Sequence, residues 1–266
     1  YDFAAAKVIV SLGADFLGTW LSPVEFAKGY SKGRKIDEKS PSMSKHYQFE
    51  GLLSLTGSNA DERFTHRPSE TGAVAIDLLN AINGTEGSST IKDAKLEAGI
   101  KKVAADLKAH NGAALVVCGS NDKNVQVIVN AINAAIGANG TTINWNQPVN
   151  YRQGIDSEMV DLIAQMEAGA VGTLMIQGAN PAYTYYDADK FKAALKKVKV
   201  TVSFNEKMDE TTELCEYIIP NHHYLESWGD AEPKTGFVSF LQPTIYPLFK
   251  IRPFQTSLLR WSGSTQ

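Results

Sequence analysis

Ala113-Ala114-Leu115-Val116-Val117-Cys118-Gly119-Ser120-Asn121-Asp122 is the stretch whose reading decides the fold. Six apolar residues run without polar interruption, then a Gly-Ser-Asn-Asp turn opens a helical pattern over Asp122–Gly137. A continuous apolar run of that length reads as a strand buried on both faces, which is the habit of parallel sheets. The same beat recurs on either side. Lys7–Leu12 reads as a strand ending at Gly13, and a helix follows that starts at Ser22-Pro23-Val24-Glu25. There the spacing predicts Ser22 as N-cap, Pro23 at the first helical position and Glu25 closing a capping box. Further on, strands are expected at Thr141–Trp145, Gly172–Gln177, Lys199–Phe204 and Tyr217–Pro220. Helices are expected over Asp156–Ala168, with Asp156 as cap, and over Ala188–Val198, with a loop-rich tail behind them. This alternation predicts an α/β, doubly wound protein of mostly parallel sheets with helices on both faces.

The remaining segments organise the chain. Arg34–Lys45 is charged and serine-rich and reads as an exposed loop, and Gly51–Leu55 is a second apolar run. Val74, Leu78 and Ile82 recur at fours in a helix over Glu70–Ile82; Leu96, Ile100, Val103 and Leu107 mark a longer one over Lys92–His110. Between them Asn83–Thr90 (NGTEGSST) has the composition of a linker. Two lobes are therefore expected, residues 1–83 and 84–250, with 251–266 as a tail.

Composition narrows the chemistry. With 26 basic and 29 acidic side chains among 266 residues, the net charge of −3 supplies no basic field for nucleic acid. Cys118 and Cys215 are the only cysteines, too few and too far apart for an iron–sulfur cluster or a zinc finger. No apolar run approaches the length of a membrane span, and no signal-peptide pattern occurs at the start. Because the first residue is Tyr1, the chain reads as an internal piece of something longer or a trimmed mature chain.

In a parallel sheet, ligands sit at the carboxyl ends of strands. Three loops there are rich in Gly and Asn: Gly13-Ala14-Asp15, Gly119-Ser120-Asn121-Asp122 and Gly178-Ala179-Asn180-Pro181. Taken singly, each has the composition that any strand-to-helix turn favours. Neither a G-x-G-x-x-G fingerprint nor a P-loop occurs. His222, His223, Glu226 and Asp230 form the densest set of potential metal ligands. Adjacent histidines on extended chain point apart, however, so a satisfied polar loop is the plainer reading. No G-x-S-x-G elbow marks a serine nucleophile, and Cys118 reads as a buried small residue.

The string Ile219-Pro220-Asn221-His222-His223-Tyr224-Leu225-Glu226-Ser227-Trp228-Gly229-Asp230, with Gln242-Pro243 and Tyr246-Pro247-Leu248 behind it, is more specific. It resembles the large subunit of the molybdopterin oxidoreductase family, in the branch near polysulfide reductase. Ser11–Phe16, Ala60-Asp61-Glu62, Arg67-Pro68, Gly178-Ala179-Asn180-Pro181 and Asp209-Glu210-Thr211 resemble that family's other motifs, in its order. The similarity runs from about Val8 to Phe249. Departures matter as much. Glu50-Gly51-Leu52 stands where the family has Glu-Pro-Arg, Pro68-Ser69-Glu70-Thr71 where it has Pro-Gly-Thr-Asp, and Cys215-Glu216 where it has Ala-Asp. An arginine and a glycine suited to a phosphate are lost and a carboxylate is gained.

This combination resembles the molybdopterin-like domain of the large subunit of alternative complex III, a respiratory quinol oxidoreductase on the periplasmic side of the bacterial inner membrane. The resemblance implies a scaffold without molybdenum or any other cofactor of its own and with no catalytic or metal-binding residues. Gly119, Asn121, Gly178, Asn180, Pro181 and Asp209 would then be vestigial pterin-loop positions. It also implies a fused ferredoxin-like domain carrying iron–sulfur clusters, a multihaem cytochrome c partner with haem c, and integral membrane quinol-binding subunits. Two other readings stay open: a catalytic molybdopterin oxidoreductase of the polysulfide, thiosulfate or tetrathionate type, and a free-standing nucleotide-binding enzyme.

Overall fold

A computed structural model describes residues 1–36, 41–85, 87, 89–150 and 154–264. It divides into two compact units, Tyr1–Val149 and Asn150–Gln266. The division is therefore not at residues 83–90, as composition suggested. That segment joins two neighbouring helices inside the first unit, and the strand at residues 114–118 belongs to the sheet begun at residue 8.

In the first unit, β1 (Val8–Leu12) lies between β2 (Lys45–Glu50) and β4 (Ala114–Cys118), with β3 (Glu62–Thr65) outside β2. All pairings are parallel; Val10 stands opposite Tyr47 on one side and Val116 on the other. β1 and β4 are buried along their whole length, as their apolar composition requires. Each fully buried Val, Leu or Ile contributes about 1.5–3 kcal/mol of apolar transfer, so this sheet anchors the unit. β4 is an edge strand, and its open side is closed by side chains. Asn133 accepts from Val116 N–H at 3.0 Å and donates to Val116 C=O at 2.8 Å, while Thr142 Oγ1 donates to Ala114 C=O at 2.7 Å. Thr142 thus serves as an edge cover, and Thr141–Trp145 is not a strand; it makes only an isolated bridge, Asn139 to Ile143.

The helices flank this sheet. α1 (Pro23–Arg34) turns Phe26 and Tyr30 inward. Pro23 does occupy its first turn, but Ser22 makes no side-chain cap bond, so the expected capping box is not formed. Residues 37–40 of the expected loop lie outside the described residues. The apolar run Gly51–Leu55 follows β2 as a largely exposed loop and leads into α2 (Leu55–Ser58). α3 (Thr71–Asn83) buries Val74, Leu78 and Ile82 and ends on Gly84, whose φ of +68° suits glycine. α4 (Ala94–Ala109) buries the stripe Leu96, Ile100, Val103 and Leu107, and Asp93 caps it through the N–H groups of Lys95 and Leu96. α5 (Lys123–Ala135) is capped by Asp122.

The second unit is built on a parallel sheet of β5 (Thr173–Ile176), β6 (Val200–Ser203) and β7 (Tyr217–Ile218). α6 (Asp156–Glu167) starts one residue earlier than a cap at Asp156 would allow; Ile155 holds the N-cap position and offers no cap bond. α7 (Pro181–Thr184) and α8 (Ala188–Leu195) follow β5. A small core gathers Ile163, Met166, Ile176, Phe191 and Leu195. Beyond β7 the chain is more ordered than its composition suggested. β8 (Gly229–Lys234) and β9 (Phe237–Leu241) form an antiparallel hairpin, and α9 (Phe254–Trp261) closes the segment. Nor is 251–266 a detached tail. Phe254 and Trp261 meet Phe204 at ring distances of 4.8 and 5.8 Å, and Asn221 Oδ1 accepts from Phe254 N–H at 2.8 Å.

Candidate functional site

Each expected loop does fall at the carboxyl end of a strand, and each is filled by its own neighbours. After β1, the Gly13 N–H donates to Phe49 C=O at 2.8 Å, and Asp15 Oδ1 accepts from Thr56 N–H at 3.0 Å and Thr56 Oγ1 at 2.8 Å. After β4, a Cβ at Gly119 would stand 2.4 Å from Gly13 C=O. The glycine is needed where two stretches of the chain touch. Asn121 sits exposed at the turn, while Gln126 Nε2 donates to Cys118 C=O at 3.1 Å and to Ser120 C=O at 2.6 Å.

β2 carries a feature that its sequence hides. His46, Gln48 and Glu50 all face one side and are all buried. They join as Tyr30 Oη to His46 Nδ1 at 3.2 Å, His46 Nε2 to Gln48 Oε1 at 3.3 Å, and Gln48 Nε2 to Glu50 Oε2 at 2.9 Å. Ser54 Oγ and Arg63 Nε each approach Glu50 at 2.6 Å. Burial pushes the Glu50 carboxyl up, but hydrogen bonds from Ser54, Arg63 and Gln48 outweigh it and hold the group below the usual range. Burial lowers His46 to about 4, so the ring is neutral. Asp61, in the Ala60-Asp61-Glu62 motif, binds Arg34 through both oxygens, at 2.6 and 2.8 Å, and accepts from His46 N–H at 2.8 Å. Through Tyr30 and Arg34 these residues tie β2 and the Asp61 loop to α1.

The loop after β3 borders a cavity of about 840 Å³ that includes Gly51, His66, Arg67, Glu70, Lys92 and Asp93. Its carboxylates serve the backbone: Glu70 Oε2 accepts from Arg67 N–H at 2.9 Å, and Asp93 holds the start of α4. Leu52 is exposed.

In the second unit, Gly178–Pro181 and Asp209–Thr211 do come together. A cavity of about 330 Å³ lies there, lined by Gly178, Asn180, Asn205, Lys207, Asp209 and Asn221. Asn205, which composition alone did not mark, is its hub. Its Oδ1 accepts from Gly178 N–H at 2.8 Å, and its Nδ2 donates to Ala179 C=O and to Asp209 Oδ2, both at 2.9 Å. Asn180 Oδ1 accepts from Thr211, and its Nδ2 donates to Glu210 Oε2 at 2.7 Å. Burial raises the Asp209 carboxyl, but the amides of Thr212 and Thr211 and the Thr212 and Asn205 side chains pull it below its ordinary value. Pro181 opens α7, whose Ala182 N–H is taken by Thr211 Oγ1 at 2.9 Å.

Burial is the main influence on both thiols and raises Cys118 and Cys215, which are free and lie in different units. Neither has the depressed pKa of a nucleophile. Among the described residues no group of three or more His, Cys, Asp or Glu side chains is placed to hold a metal ion. Among them, too, no helix is long and apolar enough to cross a membrane.

No family model matches the chain. Over 307 aligned residues it is 24% identical to the menaquinone reductase, molybdopterin-binding-like subunit of Nitratidesulfovibrio vulgaris (strain Hildenborough), covering 99% of this chain and 44% of that protein. Among solved structures it is similar to acetylene hydratase from Pelobacter acetylenicus, with a TM-score of 0.66 and 11% identity over 98% of this chain and 48% of that one. The chain thus spans less than half the length of the curated relative. The structural likeness shows the fold alone: α/β, with parallel sheets flanked by helices, as in a molybdopterin-oxidoreductase-like domain. The sequence relative, named as a molybdopterin-binding-like subunit, agrees with that fold.

Proposed function

We propose that this chain is a cofactor-free, molybdopterin-oxidoreductase-like scaffold within a quinone-linked respiratory oxidoreductase complex of the alternative complex III kind. The observation that carries the reading is the state of the loops. A pterin pyrophosphate needs unspent backbone N–H donors and cations. Here the Gly178 N–H is taken by Asn205, the Ala182 N–H by Thr211 and the Arg67 N–H by the Glu70 carboxylate. A carboxylate beside a pyrophosphate adds like-charge repulsion. Donors already spent in this way weigh against a pyrophosphate at these loops.

The name of the curated relative, a molybdopterin-binding-like subunit of a menaquinone reductase, supports a place beside quinone-reacting subunits. In this reading the chain works by position. It stands on the periplasmic side of the membrane, next to iron–sulfur and multihaem cytochrome c components that carry the electrons, and membrane subunits bind the quinol. Metal and pterin analysis of the whole complex tests the proposal. Molybdenum and tungsten are expected far below one atom per complex, with iron present. One molybdenum or tungsten per complex, with an extractable pterin, would overturn it.

A further inference from the structure

The two edges of the β8–β9 hairpin are unlike. β8 carries Asp230, Glu232, Pro233 and Lys234, and the register slips by one residue on its side between Ala231 and Lys234. Its outer flank is also met by Asn150, whose N–H donates to Pro233 C=O at 2.9 Å. Charge, proline and a bulge are the devices that keep an edge strand from pairing. β9 has none of them. Phe237-Val238-Ser239-Phe240-Leu241 is uncharged and exposed at every position, and among the described residues its backbone makes no hydrogen bond outside the hairpin. The strand also reads nearly alike from both ends. Laid antiparallel on a second copy with Ser239 facing itself, it sets Phe237 opposite the second copy's Leu241 and Val238 opposite its Phe240. Such aromatic–aliphatic pairs stabilise sheets, and no like charges meet. Self-complementarity of this kind is what a two-fold interface requires.

The area is sufficient as well. Beyond Leu241 the chain is held at the base of the hairpin, where Thr244 N–H donates to Leu225 C=O at 2.8 Å and Leu248 N–H to Glu226 Oε1 at 3.0 Å. Glu226 Oε2 accepts from His223 N–H at 3.0 Å, so this carboxylate, a potential ligand by its sequence, serves the join. Phe237, Phe240, Tyr246 and Phe249 are 55, 80, 92 and 72% exposed. Roughly 600 Å² of ring surface is therefore open, and Val238, Leu241 and Leu248 bring the total to roughly 800 Å² per copy. A stable pair buries about 800 Å² on each partner.

We propose that two copies of this chain pair through β9, edge to edge and antiparallel about Ser239, joining two hairpins into one four-stranded sheet. The segment after Leu241 adds its rings to the seam. The pairing stands on one strand and its neighbours and does not depend on the scaffold role.

Sedimentation equilibrium of the full chain between about 1 and 200 µM forms the test. A reversible rise from monomer to a dimer plateau is expected. Ser239→Lys sets two ammonium groups face to face on the axis and should weaken the dimer at least about tenfold, whereas Ser239→Thr should hold or tighten it. Circular dichroism and a urea midpoint matched to the parent chain show that the lysine variant folds. Ser239→Cys gives a readout that does not depend on that variant. Diamide oxidation should link two copies through residue 239 at least about tenfold faster than it links Asp189→Cys, at an exposed position of α8. A monomer at every concentration, assembly past the dimer without a plateau, a dimer indifferent to Ser239→Lys, or equal cross-linking of the two cysteine variants would overturn the proposal.

Discussion

Asn180 Oδ1 receives both the backbone N–H of Thr211, at 3.2 Å, and its hydroxyl, at 2.7 Å, so one carboxamide locks the loop after β5 to the turn after β6. Thr211 is fully buried, and its oxygen also accepts from Ala182 N–H. Thr211→Val keeps the shape and removes the oxygen, which strands Ala182 N–H and leaves Asn180 Oδ1 with the residue 211 N–H alone. A loss of about 1–3 kcal/mol from the stability of the second unit is expected, read as a lower urea midpoint with an unchanged slope.

His46 sets a pH dependence in the first unit. Its folded pKa of about 4 lies below the ordinary value of 6.5, so the unfolded chain binds the proton more readily. Stability is full above pH 6.5, falls as pH drops toward 4, and levels off below. The whole change is about 3 kcal/mol at most. Urea titrations of the first unit between pH 7 and 4 should show that slope, and His46→Gln should flatten it.

Gly119→Ala tests the contact between the loops after β1 and β4. The added methyl meets backbone oxygen at 2.4 Å, which no side-chain rotation relieves. A loss of about 2 kcal/mol or more, seen as a lower melting temperature, is expected. Gly72→Ala, whose methyl would find only Val125 at 3.6 Å, is the control and should be nearly neutral or stabilising.

What sequence could show followed the apolar residues. β1, β4 and the buried stripes of α3 and α4 declare themselves because burial there is purely apolar. β2 does not, because Lys45-His46-Tyr47-Gln48-Phe49-Glu50 buries polar side chains that satisfy one another, and composition cannot reveal that pairing. The boundary was misplaced for a related reason. Leu12 and Cys118 are partners in the sheet yet lie far apart in the chain, so a local linker signal at Asn83–Thr90 outweighed a distant one. Of the site, Gly178 and Asn180 are legible as turn residues, and Asp209 only through the family motif that it resembles. Asn205, which holds them together, follows β6 without any motif to mark it.

The second unit's thin core has a consequence for the life of the chain. Among the described residues eight apolar side chains make up its buried cluster, whereas Phe240, Tyr246 and Phe249 stand open to solvent. Any surface that covers those rings adds its binding free energy to folding by mass action. A copy without such a cover spends more of its time locally open and is the better substrate for proteases. The half-life of the chain in the cell therefore becomes a gauge of whether those rings are covered.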